Sequence, residues 1–283
     1  MKKRNLPKHY KDLITLPIKL KSKMPTSFDV IGDILLIKFS SDVNDYKQQI
    51  SKALLTANNN IKTVCQIFPV SGELRIRNIE IIMGKKSTET LHKEYGLNYH
   101  LDIKKTYFSP RLANERKRIK DLVKDNEIIV DMFTGVAPFA IMIAKYANPK
   151  IIYAFDKNSD AIKYAKKNVT INQLLDKIEL INEDSKNAPS ILKNKNVIAD
   201  RVIMNLPFSA FKFFNKAIDL LGNEGTIHFY DIIHENKFEN RIKELEGKSN
   251  KKGYNFELVN LNKIKSYSPH EFYIGIDITA KRK

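Results

Sequence analysis

The stretch "EIIVDMFTGVAPFAIMIAKYANPKIIYAFD", residues 127–156, decides the fold. It opens on an apolar strand, "EIIVD" (127–131), crosses a short loop and enters an apolar helix, "PFAIMIAKYA" (138–147). Pro138 stands at the helix start, where a missing N–H costs nothing. A second apolar strand, "IIYAF" (151–155), follows. The alternation continues downstream through the helix "SDAIKYAKKNVTINQL", the strands "IELIN" and "RVIMN", the helix "AFKFFNKAIDLL" and the strand "TIHFYD". A polar helix near 235–248, then "YNFELVNLNKI" and "FYIGIDITA", complete the chain. Strand alternating with helix predicts an α/β domain over residues 111–283 with a doubly wound, Rossmann-like parallel sheet. Its ligand belongs beyond the carboxyl ends of the strands, at the switch point.

Upstream, the pattern changes twice. "FDVIGDILLIKF" (28–39) reads as a strand, a Gly-Asp turn and a second strand. "DVNDYKQQISKALLTAN" (42–58) has helical spacing at Val43, Tyr46, Ile50 and Leu54, with Asp42 as its N-cap. "KTVCQIF" (62–68) is another strand, so residues 1–68 predict a small α+β N-terminal domain. Residues 69–110 carry no helix-period stretch and predict a small β-rich middle domain. In "LRIRNIEIIMG", Arg75 and Arg77 alternate with Leu74 and Ile76, and "ETLHKEYGLNYHLDI" continues as strand around a Gly turn. Basic and aromatic residues alternating on a small sheet suit an RNA-facing surface.

Lys and Arg total 49 against 32 Asp and Glu, a net of +17, which points to a polyanionic partner. The charge is densest at the start: residues 1–62 hold 12 basic and 5 acidic side chains, whereas 111–283 hold 30 and 22. A generally Lys-rich proteome would also give basic proteins without any nucleic-acid role. One cysteine, Cys65, excludes a disulfide framework and a Cys-rich zinc site, and a small buried apolar residue is its simplest reading. The six histidines show no ligand spacing, so no metal is expected. With no membrane-length apolar run and no secretory h-region, a reducing cytoplasmic location and no membrane are expected.

The loop "DMFTGVAPF" (131–139) lies where an α/β sheet holds a nucleotide-like ligand, but it is neither G-x-G-x-x-G nor a Walker loop. With one Gly, it is poorly built to wrap a pyrophosphate. The next strand ends in Asp156, 25 residues after Asp131, where a carboxylate can accept both hydroxyls of a ribose. The third ends in "NEDS", placing Asp184 near an exocyclic adenine amine. Acids at successive strand ends suit an adenosyl ligand without phosphates, S-adenosylmethionine. Taken singly, Asp156 and Asp184 also sit where helix caps belong.

The fourth strand ends in "NLP", residues 205–207. In such a domain Asn205 faces the reacting atom, with an amide that can both accept and donate. Pro207 offers no N–H and pushes the preceding residue out of helical geometry, so the amide is aimed. A plain Asn-Leu-Pro turn is the alternative for an isolated motif.

"FDVIGDI", "GELRIRNIEIIMGKKSTETLHKEYG", "YFSPRLANERKRI", "DMFTGVAPF" and "NLP" together resemble the archaeal/eukaryotic tRNA (guanine37-N1)-methyltransferases over nearly the whole chain. The resemblance implies an N-terminal domain gripping the tRNA outer corner, a small middle domain and a catalytic domain; a monomer acting on tRNA is the expectation. The dense N-terminal charge agrees with it. It departs from the pattern at Ala137, where the family commonly has Gly and where Ala loses access to positive φ.

Guanine N1 carries a proton at neutral pH, so its methylation needs a base and a group to hold charge on O6. The resemblance places the base at Glu115, between Arg111 and Arg116, and the O6 stabiliser at Arg75. Asn205 and Pro207 hold the reacting edge, and Tyr107 lies near the base or cofactor. The expected cofactor set is Arg111, Leu112, Arg116, Asp131, Phe133, Gly135, Asp156, Lys157, Asp184, Ser185 and Asn205. On spacing alone, Glu115 reads as part of a charged helical face with local ion pairs, Arg75 as a phosphate contact and Tyr107 as a core aromatic. Relatives acting on the wyosine-type tricycle at the same position, by methyl or aminocarboxypropyl transfer, are the near alternative. A DNA or protein methyltransferase and a non-catalytic RNA-binding protein are the distant ones.

Overall fold

The computed structural model describes residues 9–71 and 76–283; at 69–71 it describes the backbone. The chain divides into two compact units, Met1–Arg111 and Leu112–Lys283.

In the first unit, β1 (Phe28–Ile31), β2 (Ile34–Ile37), β3 (Thr63–Ser71) and β4 (Ile76–Gly84) form one sheet in that order. A short helix, α1 (Ile18–Lys21), precedes it, and α2 (Lys47–Ala57) makes the crossover between the parallel strands β2 and β3. The expected helix start at Asp42 is displaced. Residues Ser41–Tyr46 wind as a 3-10 helix and the α-helix begins at Lys47. Asp42, Asn44 and Asp45 supply side chains that compete for backbone donors and favour turns over an α-helical first turn. Val43, Ile50 and Leu54 nevertheless all reach the core, alongside Leu35, Ile37 and Val64. Cys65 is buried in β3, and burial pushes its thiol up to about 12.

A separate hairpin, β5 (Glu89–Glu94) and β6 (Leu97–Asp102), turns on Tyr95 and Gly96, both at positive φ, the geometry of a two-residue primed turn. Gly32 lets the β1–β2 turn approach this hairpin. A Cβ there would stand 2.0 Å from Thr90 Oγ1. The expected boundary at 68/69 falls inside β3, and β4 pairs antiparallel with β3 from Thr63↔Gly84 onward. Residues 76–84 therefore complete the N-terminal sheet, and among the described residues of 69–110 β5 and β6 form a sheet apart from it.

The second unit carries α3 (Ala113–Leu122), β7 (Ile128–Asp131), α4 (Pro138–Tyr146), β8 (Ile151–Phe155), α5 (Ser159–Ile171), β9 (Ile178–Ile181), α6 (Ala188–Asn194) and β10 (Ala199–Met204). Then follow α7 (Ala210–Ile218), β11 (Leu221–His234), α8 (Phe238–Lys251), β12 (Tyr254–Ser268) and β13 (Glu271–Arg282). The sheet order is β12-β13-β11-β10-β7-β8-β9, with β11 through β9 parallel, β13 antiparallel to β11, and β12 antiparallel to β13 and so running with the parallel set. The chain steps outward from β7 to β8 and β9, then returns to β10 and β11. The switch point thus lies between β7 and β10. α4 is buried from Phe139 to Ala144, as its continuous apolar run requires. α7 buries Ala210, Phe214, Ala217 and Ile218, a helical stripe laid on the sheet. The seven-residue α6, with Pro near its start, is the crossover helix that the sequence reading passed over. Among the described residues, no helix is long and apolar enough to cross a membrane.

Candidate active site

At the switch point, β7 ends on Asp131. Its carboxylate accepts from Thr134 Oγ1 at 2.8 Å and from the Phe133 N–H at 3.4 Å. Gly135, at φ 57°, aims its N–H at Asp156 Oδ2 (2.7 Å), and Asn158 N–H meets Asp156 Oδ1 (2.8 Å). Each Asp156 oxygen keeps a second acceptor position, which matches a pair of adjacent hydroxyls. Ala137 does adopt positive φ, 66°, contrary to the expectation that Ala forfeits it. The loop geometry is kept at a cost of roughly 1–2 kcal/mol relative to Gly. Asn168 on α5 contributes to holding it, donating from Nδ2 to Val136 O at 3.1 Å.

Burial raises the Asp131 carboxyl to about 7, partly offset by its bonds from Thr134 and Phe133, while the nearby Asp156 charge adds to the rise. Asp156 is raised by burial too, against the two N–H donors. Two strained carboxylates repel phosphate and favour a ligand bearing positive charge and hydroxyls. S-adenosylmethionine, with its ammonium, sulfonium and ribose, fits that donor set.

The remaining cofactor candidates divide. Ser185 Oγ donates to Met132 O and pins the third loop to the first. The Phe133 ring packs edge-on against Phe213 at 5.1 Å. Asp184 accepts from its own helix start, Lys186 N–H, at 2.9 Å, and pairs with Lys186 Nζ at 3.5 Å, the capping role already open to it. Lys157 is half-buried beside Asp156.

At the end of β10, the Asn205 amide is half-buried and Pro207 is buried. Tyr273 on β13 donates its hydroxyl to Asn205 Oδ1, so a tyrosine as well as the proline orients the amide and leaves its NH₂ as a donor. The next residue, Phe208, sits at φ 70°, is 54% exposed, and has its ring edge-on to Tyr267 at 5.4 Å. Its N–H is held by Asp231 Oδ1 at 3.3 Å. A bulky residue at positive φ is strained, and such strain gathers at functional sites.

Glu115, on the first turn of α3, is 3% exposed. Arg118 grips it with both Nε (2.9 Å to Oε2) and Nη2 (2.7 Å to Oε1). Tyr230 Oη donates to Oε1 at 2.8 Å and Asn262 Nδ2 to Oε2 at 3.2 Å. A carboxylate has about four acceptor positions, and all are filled. A substrate proton must therefore displace a partner. Asn262 makes the longest of these bonds and is half-buried. Tyr230 and Tyr273 pack with ring centroids 6.1 Å apart, so Glu115 and Asn205 stand at the two ends of one tyrosine pair. Burial, and then the charge on Glu115, hold the Tyr230 hydroxyl well above its ordinary range, keeping it a donor.

Arg118, Tyr230, Tyr273 and Asn262 were not singled out by sequence reasoning. The signal available was a polar residue within an otherwise apolar strand, as in "TIHFYD".

Arg111, the last residue of the first unit, pairs with Asp29 on β1 at 2.5 Å. Tyr107, also in the first unit, lies under the Arg77 guanidinium at 5.0 Å. Arg77 is buried, not displayed on an open face. Leu112 and Arg116 are both buried at the start of α3. Arg75 falls outside the described residues.

Two family models match the chain: the TYW2 N-terminal domain over residues 10–88 and the TRM5/TYW2 methyltransferase domain over 90–257. The tRNA (guanine(37)-N(1))-methyltransferase Trm5b of Pyrococcus abyssi is 35% identical over 276 residues, 96% of this chain and 80% of that one. The crystal structure of P. abyssi Trm5b superposes with a TM-score of 0.87, covering 98% of this chain and 81% of the other at 34% identity. The tRNA(Phe) (4-demethylwyosine(37)-C(7)) aminocarboxypropyltransferase of Methanocaldococcus jannaschii is 32% identical, covering 92% of this chain and all of that one. The structure of M. jannaschii TYW2 in complex with AdoMet matches with a TM-score of 0.69 and 28% identity, over 91% of this chain and 100% of the other. In sequence, and in the sheet that carries Asp131, Asp156 and Asn205, the chain belongs to the TRM5/TYW2 methyltransferase family.

Proposed function

We propose that this chain methylates N1 of guanosine 37 in tRNA, using S-adenosylmethionine. The observation that carries the reading is the pairing of a buried, ionisable carboxylate with an oriented amide at either end of the Tyr230–Tyr273 pair. Methylating an N–H needs a proton acceptor and a group that holds the base edge, and those two side chains supply them.

The basic surface engages tRNA by phosphate contacts, which position without reading sequence. The target base leaves its stack to reach the strand ends, where the exposed ring of Phe208 offers a face for it. The Asn205 NH₂ donates to a ring or carbonyl acceptor of the guanine. Glu115 exchanges its bond from Asn262 for the guanine N1–H and takes that proton. Asp131, Asp156 and the Phe133–Ala137 backbone would hold the cofactor, which when bound would supply an electrophilic methyl on its sulfonium. Arg75 is the group proposed for O6.

A second reading has its own support. The chain spans all of the aminocarboxypropyltransferase relative but 80% of the methyltransferase, and its N-terminal match is the TYW2 domain. The two readings part on which carbon leaves the sulfonium. Unmodified tRNA transcript is incubated with cofactor labelled either in the methyl group or in the methionine carboxyl. Methyl label in tRNA, recovered as 1-methylguanosine, is the expected result. Carboxyl label in tRNA carrying the wyosine precursor would transfer the assignment to the second reading.

A further inference from the structure

The grip on Glu115 does not end at Arg118. The same guanidinium reaches Asp277 on β13, Nη1 to Oδ2 at 2.6 Å and Nη2 to Oδ1 at 3.2 Å. Asp277 Oδ1 lies 2.6 Å from His228 Nδ1, directly across the β11–β13 ladder. His228 Nε2 lies 2.6 Å from Arg201 Nη1 on the neighbouring β10. Arg201 closes on Glu127 with two bonds, 2.7 and 2.9 Å, and on Leu122 O at 2.8 Å. Arg201, His228 and Asp277 are all 3% exposed or less.

Arginine can only donate, so His228 Nε2 must accept from Arg201 and Nδ1–H must donate to Asp277. The imidazole is thereby fixed as one neutral tautomer, and burial together with the two neighbouring guanidiniums opposes its protonation. The row then holds three carboxylates, Glu115, Asp277 and Glu127, against two guanidiniums. It carries one surplus negative charge. One proton taken up by Glu115 brings it to neutrality.

We infer that Arg118, fixed from behind by Asp277, is the positioning residue that presents Glu115, and that the buried row ending at Glu127 equips this carboxylate to take up one proton. Arg118 sets the plane of the carboxylate through a fork that lysine cannot reproduce. Asp277 shares the Arg118 charge, so Glu115 is not locked as an ion by an undivided cation. Among the described residues, the other groups facing Glu115 are Tyr230 on β11, Asn262 on β12 and the Gly275 backbone on β13. None of these carries a charge that could replace the contribution of Asp277.

The inference rests on the reading of Glu115 as the base, and the test separates the two. Single-turnover methyl transfer to tRNA is measured against pH for Asp277→Asn and Glu127→Gln, with cofactor affinity and thermal unfolding of each variant recorded. Removing either negative charge favours ionised Glu115 and weakens it as a base. In Asp277→Asn the plateau rate should fall roughly threefold to tenfold while the acid limb of the profile moves to lower pH. Cofactor affinity should stay within about threefold, because Asp277 lies outside the cofactor loops. Glu127→Gln, which touches neither Glu115 nor Arg118, should shift both quantities the same way by less, and it decides the matter if Asp277→Asn does not fold. A slower enzyme that is also less acid-sensitive is not what general structural damage produces. Wild-type rates and pH limbs in the folded variants, or slower rates with the limb unmoved, would overturn the inference and leave Glu115 as the base. Full activity in Glu115→Gln would instead remove the base and the inference together.

Discussion

Glu115→Gln should lower the single-turnover methyl-transfer rate by about 10²–10⁴-fold at pH 7–8, the range that positioned proton transfer contributes. The substitution is nearly isosteric. The glutamine carbonyl can still accept from Arg118 or from Tyr230, but its NH₂ must oppose one of the donors that now meet the carboxylate. Some stability is therefore lost as well. Cofactor affinity separates the two effects, because Asp131, Asp156 and their loop donors make no hydrogen bond to Glu115. Isothermal titration with S-adenosylmethionine should give a Kd within about threefold of wild type, while the rate collapses. Equal losses in both would mean that Glu115 acts only as a strut.

The second large effect has the opposite sign for stability. In Asp131→Asn the folded protein should become more stable at neutral pH, while its affinity for the cofactor falls. The buried Asp131 carboxyl is raised from 3.8 to about 7. The folded state therefore binds this proton more tightly than the unfolded chain does, and stability declines as pH rises from about 4 through 7. Above that window the ionised side chain costs the fold up to about 4 kcal/mol. Asparagine carries no proton to lose and can still accept from Thr134, so the variant should gain about 2–4 kcal/mol at pH 8. That corresponds to a Tm higher by roughly 5–10 °C, with little difference at pH 4. Thermal unfolding at the two pH values measures it. An equal shift at both, or a lower Tm at pH 8, would show that Asp131 is not a strained carboxylate. A gain in stability with a loss of binding is the pattern expected where a fold tolerates strain for a ligand.

Much of this was legible from local pattern. Strand and helix alternation after residue 127 is written in periodicity, and each strand end then marks a ligand position by topology alone. That is why Asp131, Asp156 and Asn205 could be named before any coordinates. The sequence could not show what holds them. Tyr273 reaches Asn205, and Tyr230 and Asn262 reach Glu115, only because β11, β12 and β13 pair in one particular register. Register is a long-range property, set by contacts that no local window contains. The same limit applies to the row from Arg118 to Glu127, whose members come from α3, β13, β11, β10 and the segment before β7. Ala137 was misjudged for a different reason. Its intrinsic aversion to positive φ is real but small, and a buried loop tied to Asp156 and Asn168 outweighs it. The boundary at 68/69 failed because the alternation in β3 and β4 is the same whether a strand closes one sheet or opens another.

The central claim is that Glu115 and Asn205 act on one purine. The structure of the protein bound to tRNA carrying guanosine 37 and to S-adenosylhomocysteine tests it most directly. The account predicts a Glu115 carboxylate oxygen about 2.7–3.0 Å from guanine N1, the Asn205 amide on the same base, and the Asn262 bond to Glu115 broken. A guanine whose N1 meets neither side chain, with all four partners of Glu115 still in place, would contradict it.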